Sequence, residues 1–583
     1  MEFVDFITTP KVDGVILTER TNEKIARLEG TLCLSSHHLL LSSRQDHRKE
    51  LWLLYRNIDQ VEKKANNQSP GGCMLLKCKD FRILQLDISS SEDLMNVSAS
   101  LEKLSTLEQI YQYPFFYRPQ LSDANKQGDD GWSCFTPVAE WSKLLASHGD
   151  EWRISYLNRD YKVCNSYPSA IIVPRLIDDN VIMSSAAFRD GGRFPILCYR
   201  HEGGSILFRG GQPLCGASGK RCREDEKLLN SVLGAGRRGY IVDTRSTNQA
   251  QTARARGGGT EIDSAYPQWR KVYKSVPRLG ELAESLGKLI ESCNDVSCSS
   301  GQWLSRLENS GWLTAVQGAM NAACVVAQCL EQELAAVLVH GSSGRDSTLV
   351  VTSLAQMILN PASRTIRGLQ SLLEREWLQA GHPFFTRTRH CAYFSSQSHS
   401  PPHSPTFLLF LDCLFQLHHQ FQYSFEYTTD LLMELFKHAY CSEYGTFLGD
   451  SEAERISLRL AEKTHSLWPH INRSEILDKW TNPLYEPNAS VIWPSIAPIS
   501  IRLWKELYLR HTSVAPWDDF IPCARQLKHN YSSVKKFAGQ LRNQVRRALD
   551  EVETHRDSTS CIKDDEQTQS LCLGKLNLET QSA

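Results

Sequence analysis

Hydrophobic and polar positions change their period several times along the chain, and each change marks a different architecture. In the first hundred residues the apolar side chains come in short runs. Thr31-Leu32-Cys33-Leu34 and His38-Leu39-Leu40-Leu41 flank Ser35-Ser36, and Leu51-Trp52-Leu53-Leu54-Tyr55 and Phe81-Arg82-Ile83-Leu84-Gln85-Leu86 follow between turn residues. Runs of this length bounded by turns predict strands, the first two as a hairpin. From Ser91 to Gln112 the spacing becomes helical, with Leu94, Val97, Leu101, Leu104 and Leu107 on one face. Several strands closed by one amphipathic helix predict a small capped barrel over residues 1–118, and the polar stretch 119–131 reads as a linker.

From residue 132 to residue 510 helical and strand patterns interleave without an internal repeat. The spacing predicts helices over Pro137–Ser147, Glu224–Leu233, Val276–Glu291, Trp312–Gln332, Thr348–Leu359, Thr365–Trp377, Thr406–His419 and Thr429–Ala439. Short apolar runs predict strands at Ala170–Val173, Phe194–Tyr199, Ser205–Arg209, Gly239–Asp243 and Ala336–Val339. That alternation argues for an α/β sheet covered on both faces. Ser398-His399-Ser400-Pro401-Pro402-His403-Ser404-Pro405 carries the composition of an exposed loop, not of a histidine cluster.

After Pro522 the pattern changes again. Leu527, Tyr531, Val534, Ala538, Leu541, Val545, Ala548 and Val552 are separated by alternating intervals of four and three, the seam of a coiled coil over residues 523–555. Lys528, Lys535, Lys536, Arg542, Arg546 and Arg547 flank it. Tyr531 and the two alanines weaken this seam against itself, and a single amphipathic helix packed on its own domain is the alternative. Residues 556–583 are rich in Ser, Thr, Gln and charge and are expected to be a disordered tail.

A chain of 583 residues exceeds one hydrophobic core, so about two to four domains are expected. A formal charge of -1 offers no basic excess, which excludes a nucleic-acid partner. Any contact with phosphoinositides or acidic membranes must come from local patches such as Arg44, Arg48, Lys49, Lys63 and Lys64. Met1-Glu2-Phe3-Val4-Asp5-Phe6 is acidic where a signal peptide is basic. The best apolar run, Phe407–Phe415, is short and contains Asp412. Eighteen cysteines without a Cys-x-x-Cys pair read as free thiols of a reducing compartment. No metal and no cofactor is expected, and the chain is expected to be cytoplasmic with peripheral membrane contact.

The candidate chemistry sits at Val337-Leu338-Val339-His340-Gly341-Ser342-Ser343-Gly344-Arg345-Asp346-Ser347-Thr348. A buried strand that ends in small polar residues and opens a helix makes an anion cradle from backbone N–H groups and the helix dipole. Phosphate-transfer loops of this shape add a thiolate and, six residues later, an arginine. Gly341 and Ser347 stand at those two positions. A Cys-x5-Arg does occur at Cys215 to Arg221, but Gly210-Gly211-Gln212-Pro213 precedes it where a buried strand is needed, and Arg221 leads into a charged helix start. Gly219-Lys220 lacks the spacing of a nucleotide loop. Ser342, Ser343 or Ser347 beside His340 lacks the Gly-x-Ser-x-Gly elbow of a serine hydrolase.

His340 to Thr348 resembles the myotubularin signature H-C-S-D-G-W-D-R-T. The likeness extends through Trp152-Arg153-Ile154-Ser155, Tyr167-Pro168, Gly192-Arg193-Phe194-Pro195, Asp243-Thr244-Arg245 and Gly257-Gly258-Gly259-Thr260-Glu261. It continues at Glu376-Trp377, Gly381-His382-Pro383-Phe384, Phe410-Leu411-Asp412 and Ser466-Leu467-Trp468. The resemblance implies an α+β multidomain chain: a pleckstrin-like GRAM β-barrel with a C-terminal helix, a large α/β domain of the cysteine-phosphatase type, and a C-terminal coiled-coil helix. It also implies an inactive member, a pseudophosphatase. The family's nucleophile is Gly341 here, its phosphate-binding arginine Ser347, its first aspartate Ser343 and its tryptophan Arg345. His340, Ser342, Gly344, Asp346 and Thr348 are kept, Asp346 at the position of the acid that protonates the leaving group. The implied role is that of an adaptor. Through the coiled coil it would bind active myotubularin 3-phosphatases of phosphatidylinositol 3-phosphate and 3,5-bisphosphate, and raise or localise their activity at endoplasmic-reticulum or endosomal membranes. Self-association, a phosphoinositide-binding module without a phosphatase partner, and a residual hydrolase are the alternatives.

Overall fold

In the computed structural model the described residues are 3–20, 25–43, 50–65, 71–106, 109–112, 131–145, 151–234, 236–295, 299–393, 403–511 and 521–560. They form two compact units, residues 1–519 and 520–583. The expected linker falls largely on residues outside the described ones.

The first unit begins with seven strands: β1 (Lys11–Arg20), β2 (Ile25–Leu34), β3 (His38–Ser43), β4 (Glu50–Leu54), β5 (Ile58–Ala65), β6 (Gly72–Cys78) and β7 (Ile83–Ile88). They pair antiparallel in the order β4-β3-β2-β1-β7-β6-β5. Alternate residues such as Leu39, Leu41, Met74, Leu76, Leu84 and Leu86 point inward, the period-two pattern of a sheet with one covered face. The helix Ser91–Ser105 closes this curled sheet with Leu94, Val97, Leu101 and Leu104. Ser90 caps it by accepting from the Asp93 N–H at 3.2 Å. The helix is shorter than expected: a 3-10 turn follows only at Ile110–Gln112. Phe81, expected to open a strand, stands instead at φ 71° in the turn before β7. Its ring leaves the small sheet and stacks on Phe436 at 5.3 Å, inside the core of the larger part. Asp59 fastens the same junction, its carboxylate accepting from the backbone N–H groups of Cys391 and Tyr393 at 3.1 Å.

The larger part holds a hairpin, β8 (Trp152–Ser155) with β9 (Ile171–Pro174), and a five-stranded sheet. Its strands are β10 (Ile196–Arg200), β11 (Ile206–Gly210), β12 (Gly239–Asp243), β13 (Trp269–Tyr273) and β14 (Val337–His340), in the order β10-β11-β14-β12-β13. Only β10 runs antiparallel. Helices cover both faces, as the alternation predicted. Val337 and Val339 pack with the helices Trp312–Glu331, Ser347–Leu359 and Thr406–Gln420 on one side, whereas Leu338 packs with Trp141, Trp152 and Trp269 on the other. Every residue of β14 is therefore buried.

Three expectations are corrected here. Helix Trp312–Glu331 is long and apolar enough to cross a membrane by length and composition. A search for unbroken apolar runs misses it because Gln317, Asn321 and Gln328 interrupt the pattern. It serves as a core helix, with Trp312 donating to the buried Asp412 carboxylate at 2.8 Å. His403, Ser404 and Pro405, expected in an exposed loop, are buried, and the rest of that run lies outside the described residues. In the second unit one helix spans Ile521–Ser560, so residues 556–560 of the expected tail are helical.

Helix Ile366–Leu373 passes into a π turn at Glu374–Leu378, where the spacing had predicted continuous α-helix. Glu374 accepts from Trp468 Nε1 at 2.6 Å. Burial pushes its carboxyl up to about 7, the Trp468 hydrogen bond and Arg455 offsetting only part of that effect. A raised folded-state pKa stabilises fully below the unfolded value of 4.5 and loses that contribution as pH climbs through about 7. Glu374→Gln keeps the acceptor and cannot ionise. Denaturant titrations should find it more stable than wild type at pH 8, by on the order of 2 kcal/mol after allowance for partial solvation. The two proteins should be equal near pH 4.

Candidate functional site

The central strand β14 ends at the carboxyl edge of the parallel strands, the edge where open α/β sheets place their ligands. Its neighbours fix the loop that follows. Thr244, just after β12, donates its N–H to the His340 carbonyl at 2.9 Å, and Gln212, beyond β11, donates to the Ser342 carbonyl at 2.9 Å. Gly344 has φ 68° and lies against β11, where an added Cβ would stand 2.2 Å from the Gly210 carbonyl oxygen. No side chain fits there, which explains glycine at that position. Arg193 clamps the same turn from below, donating to the Gly344 carbonyl at 2.9 Å and to Ala380. Arg345 holds it from the other side through the carbonyls of Gly381 and Asp450.

Beneath the loop runs a buried chain of charges. His340 Nε2 lies 3.0 Å from Glu261, Arg189 bridges Glu261 and Asp225 at 2.6 Å each, and Asp225 also accepts from Ser185 and Tyr266. Burial disfavours charge on His340, but the Glu261 carboxylate outweighs it and holds the imidazole above its usual range. The other nitrogen, Nδ1, lies 3.3 Å from the Gly341 carbonyl. Both ring nitrogens are engaged away from the loop hydroxyls, so His340 is no base for Ser342, Ser343 or Ser347.

Above the loop opens a cleft of about 550 Å³. Ser342, Ser343 and Gly344 form one wall with Asp346 and Ser347, and no thiol is among the lining side chains. The Ser347 hydroxyl points back to Thr244, with the two oxygens 2.8 Å apart. This hydroxyl pair occupies the space a side chain at 341 would need, since a Cβ on Gly341 would come 2.6 Å from Thr244 Oγ1. Asp346 is the N-cap of helix Ser347–Leu359, yet its carboxylate does not cap it. It takes a two-pronged ion pair from Arg387, at 2.8 and 2.9 Å. Desolvation works against its charge, but Arg387 prevails and holds the carboxyl below its ordinary range. A carboxylate so held accepts hydrogen bonds and does not supply a proton.

The cleft is cationic. Arg245, Arg256, Arg278 and Arg387 line it against the single carboxylate of Asp346. Arg245 is tied to Asp243, Gln212 and Gly259, while Arg256 and Arg278 are exposed.

The structure thus brings His340, Gly341, Ser342, Ser343, Gly344, Arg345, Asp346, Ser347 and Thr348 onto one strand-loop-helix turn, as the pattern predicted. Sequence reasoning missed Arg387 as the partner of Asp346, and Thr244 as the occupant of the floor. It also read the segment after Arg221, Cys222 to Glu226, as a charged helix start, whereas Asp225 within it is fully buried. Cys215 itself is buried outside the cleft, its thiol donating to the Thr260 carbonyl and pushed up to about 11 by burial, and Arg221 pairs with Glu226 instead. The two make no phosphate loop.

The seam residues lie on the second unit. Tyr531, Val534, Leu541 and Val545 are exposed, and so are Phe537 and Leu549, which the four-three alternation passed over. Ala538 and Ala548 are exposed beside them. The side chains of Leu527 and Val552 lie outside the described ones. Of the basic residues expected to meet acidic membranes, Lys63 pairs with Glu102 at 3.0 Å and Lys64 is exposed, while Arg44, Arg48 and Lys49 fall outside the described residues.

Comparison with known proteins agrees with this geometry. Residues 112–456 match the Myotubularin-like phosphatase domain, and residues 11–105 match the family described as MTMR6-9, GRAM domain. Myotubularin-related protein 9 of Bos taurus is 50% identical over 558 residues, covering 95% of this chain and 98% of its own length. Its Homo sapiens counterpart is 49% identical with the same coverage. Phosphatidylinositol-3,5-bisphosphate 3-phosphatase MTMR6 of Homo sapiens is 35% identical over 514 residues, which is 87% of this chain and 80% of the relative. With both its sheet-and-helix module and its phosphatase-type part matched, the chain belongs to the myotubularin-related family.

Proposed function

We propose that this chain is a pseudophosphatase that works as a regulatory partner of an active myotubularin, binding it and raising or localising its activity on 3-phosphorylated inositol lipids. One observation carries the reading: the Thr244–Ser347 hydroxyl pair fills the floor of the loop where a thiol and a guanidinium would have to stand. No thiol lines the cleft, and Asp346, the acid beside the loop, is held ionised by Arg387. The exposed apolar stripe from Tyr531 to Leu549 supplies a means of association, because such a stripe on a long helix is costly to leave in water. The proposed setting is cytoplasmic, with peripheral contact to endosomal or endoplasmic-reticulum membranes.

The test mixes the full chain with relatives named as 3-phosphatases. Co-elution with at least one of them, together with a change in that enzyme's turnover or vesicle association, is the expected result. Phosphate release by this chain alone, or no complex with any such relative, overturns the reading.

A second reading is favoured by the arginines of the cleft: the site binds phosphoinositide headgroups without turning them over. Vesicle sedimentation of the full chain separates the two. Pelleting that rises with 3-phosphorylated inositol lipid and falls in Arg278→Ala supports the cleft. Pelleting indifferent to anionic lipid and to salt excludes electrostatic recruitment by either the cleft or the GRAM domain.

A further inference from the structure

The expectation of no metal site rested on the absence of Cys-x-x-Cys pairs. Away from the cleft, three other ligands converge. Glu434 and His438 stand four residues apart on helix Thr429–Tyr440, a spacing that places both on one face. His470 reaches the same point from the short helix Trp468–Ile471. One ligand atom of each lies within 4.8 Å of the other two. The geometry points to a zinc-type divalent metal site made by Glu434, His438 and His470.

The surroundings favour a transition metal over other cations. Two imidazoles and one carboxylate are the donor set of Zn²⁺ and its neighbours, whereas Ca²⁺ and Mg²⁺ demand more oxygen ligands than the one carboxylate of the trio supplies. Tetrahedral ligands at about 2.05 Å from zinc stand roughly 3.3 Å from one another, so closure asks for a shift of no more than about 1.5 Å. Glu434 Oε1 and His438 Nε2 are already 2.9 Å apart.

His438 is buried, and its Nδ1 lies 2.9 Å from the Ser442 hydroxyl. When Nε2 gives its lone pair to a metal, Nδ1 carries the proton and donates to Ser442, which also accepts from the Tyr444 N–H. A hydroxyl serves either tautomer, so the Ser442 contact survives the change, while bonds to the metal replace the contact between Nε2 and Glu434. His470 has a buried Nδ1 with no hydrogen-bond partner among the described residues.

Lys437, paired to Glu434, and Arg473 oppose a cation, and Glu443 favours one. Direct coordination must therefore dominate, which again selects a metal with affinity for imidazole. The fourth position is open, as the trio leaves one tetrahedral direction to water. A metal here would tie Thr429–Tyr440 to Trp468–Ile471 across the start of the segment whose Asp450 carbonyl holds Arg345 of the loop.

The experiment strips the full chain with chelator, equilibrates it with Zn²⁺ and counts bound metal, then repeats the titration with Co²⁺ as a spectroscopic probe. One equivalent should disappear in His438→Ala and in His470→Ala, and Ser442→Ala should bind about 10- to 100-fold more weakly. The Co²⁺ form should show visible d–d bands without the near-ultraviolet sulfur-to-cobalt transition that thiolate ligands produce. Glu434→Gln preserves the size of the side chain and guards against misreading a folding defect. Wild-type protein that takes up no metal overturns the assignment. So does metal content unchanged in His470→Ala, or a cobalt spectrum dominated by thiolate.

Discussion

The purified full chain is expected to release no phosphate from phosphatidylinositol 3-phosphate or 3,5-bisphosphate, and Gly341→Cys alone is expected to restore none. Loss of one member of a cooperative catalytic set costs on the order of 10⁴–10⁶ in rate, and here two members differ. Geometry adds a further obstacle. A Cβ at 341 would lie 2.6 Å from Thr244 Oγ1, so a new thiol must first displace the hydroxyl that Ser347 holds in place. Even with room made, no guanidinium from position 347 would neutralise the phosphate oxygens, and the thiol would lack the positive neighbour that lowers its pKa. Asp346 cannot then assist the leaving group, because Arg387 keeps it ionised. The measurement is inorganic phosphate release from short-chain lipid substrates, with an active relative as the positive control. Wild-type turnover abolished by Ser347→Ala, or by Cys215→Ser, would sink the pseudophosphatase reading.

Much of that site was legible because it is local. Buried β14, the small-residue loop and helix Ser347–Leu359 are contiguous, and a run of apolar residues that ends at Val339 announces the turn. Arg387 was not legible: it meets Asp346 from 41 residues away, and no periodicity links them. Glu261 and Arg189 share that property, since a charge relay through a core is assembled by topology and not by spacing. Local rules also failed where a side chain serves two parts of the fold. Phe81 sits in a strand-like run, yet its ring is claimed by Phe436 and Tyr508 in the larger core, and the backbone turns at positive φ to deliver it. Glu374 was read as ordinary helix, but its bond to Trp468 coincides with a π turn. Strands β1, β5 and β6 escaped because glycine and charged residues break their apolar alternation, while their main-chain ladders hold the register.

Leu541→Glu is expected to abolish the proposed complex with an active myotubularin while leaving the larger unit folded. Leu541 is half exposed near the middle of the stripe on helix Ile521–Ser560. Buried against a partner helix, a carboxylate there would lose the leucine contacts and gain an unpaired charge. Together these cost about 3–5 kcal/mol, on the order of 10²–10³-fold in Kd. The stripe is broader than a four-three seam, since Phe537 and Leu549 lie beside the alanines at 538 and 548 and put bulk next to each weak position. That breadth bears on the choice of partner. In a parallel pair of identical helices, heptad geometry sets Phe537 against Arg542 of the other copy and Leu549 against Gln544. The same geometry sets Lys535 against Asn530, so neither flanking cation gains an acidic residue of the other copy. A different helix with apolar residues opposite Phe537 and Leu549, and acidic ones opposite the flanking cations, would relieve each mismatch, so the proposed association is expected to favour a heteromer. Residues 1–519 and 520–583 are distinct compact units, so thermal melting of the 1–519 unit should be unchanged by the substitution. Co-purification with every active relative that survives Leu541→Glu undiminished would place the contact on another surface and remove the helix from the mechanism.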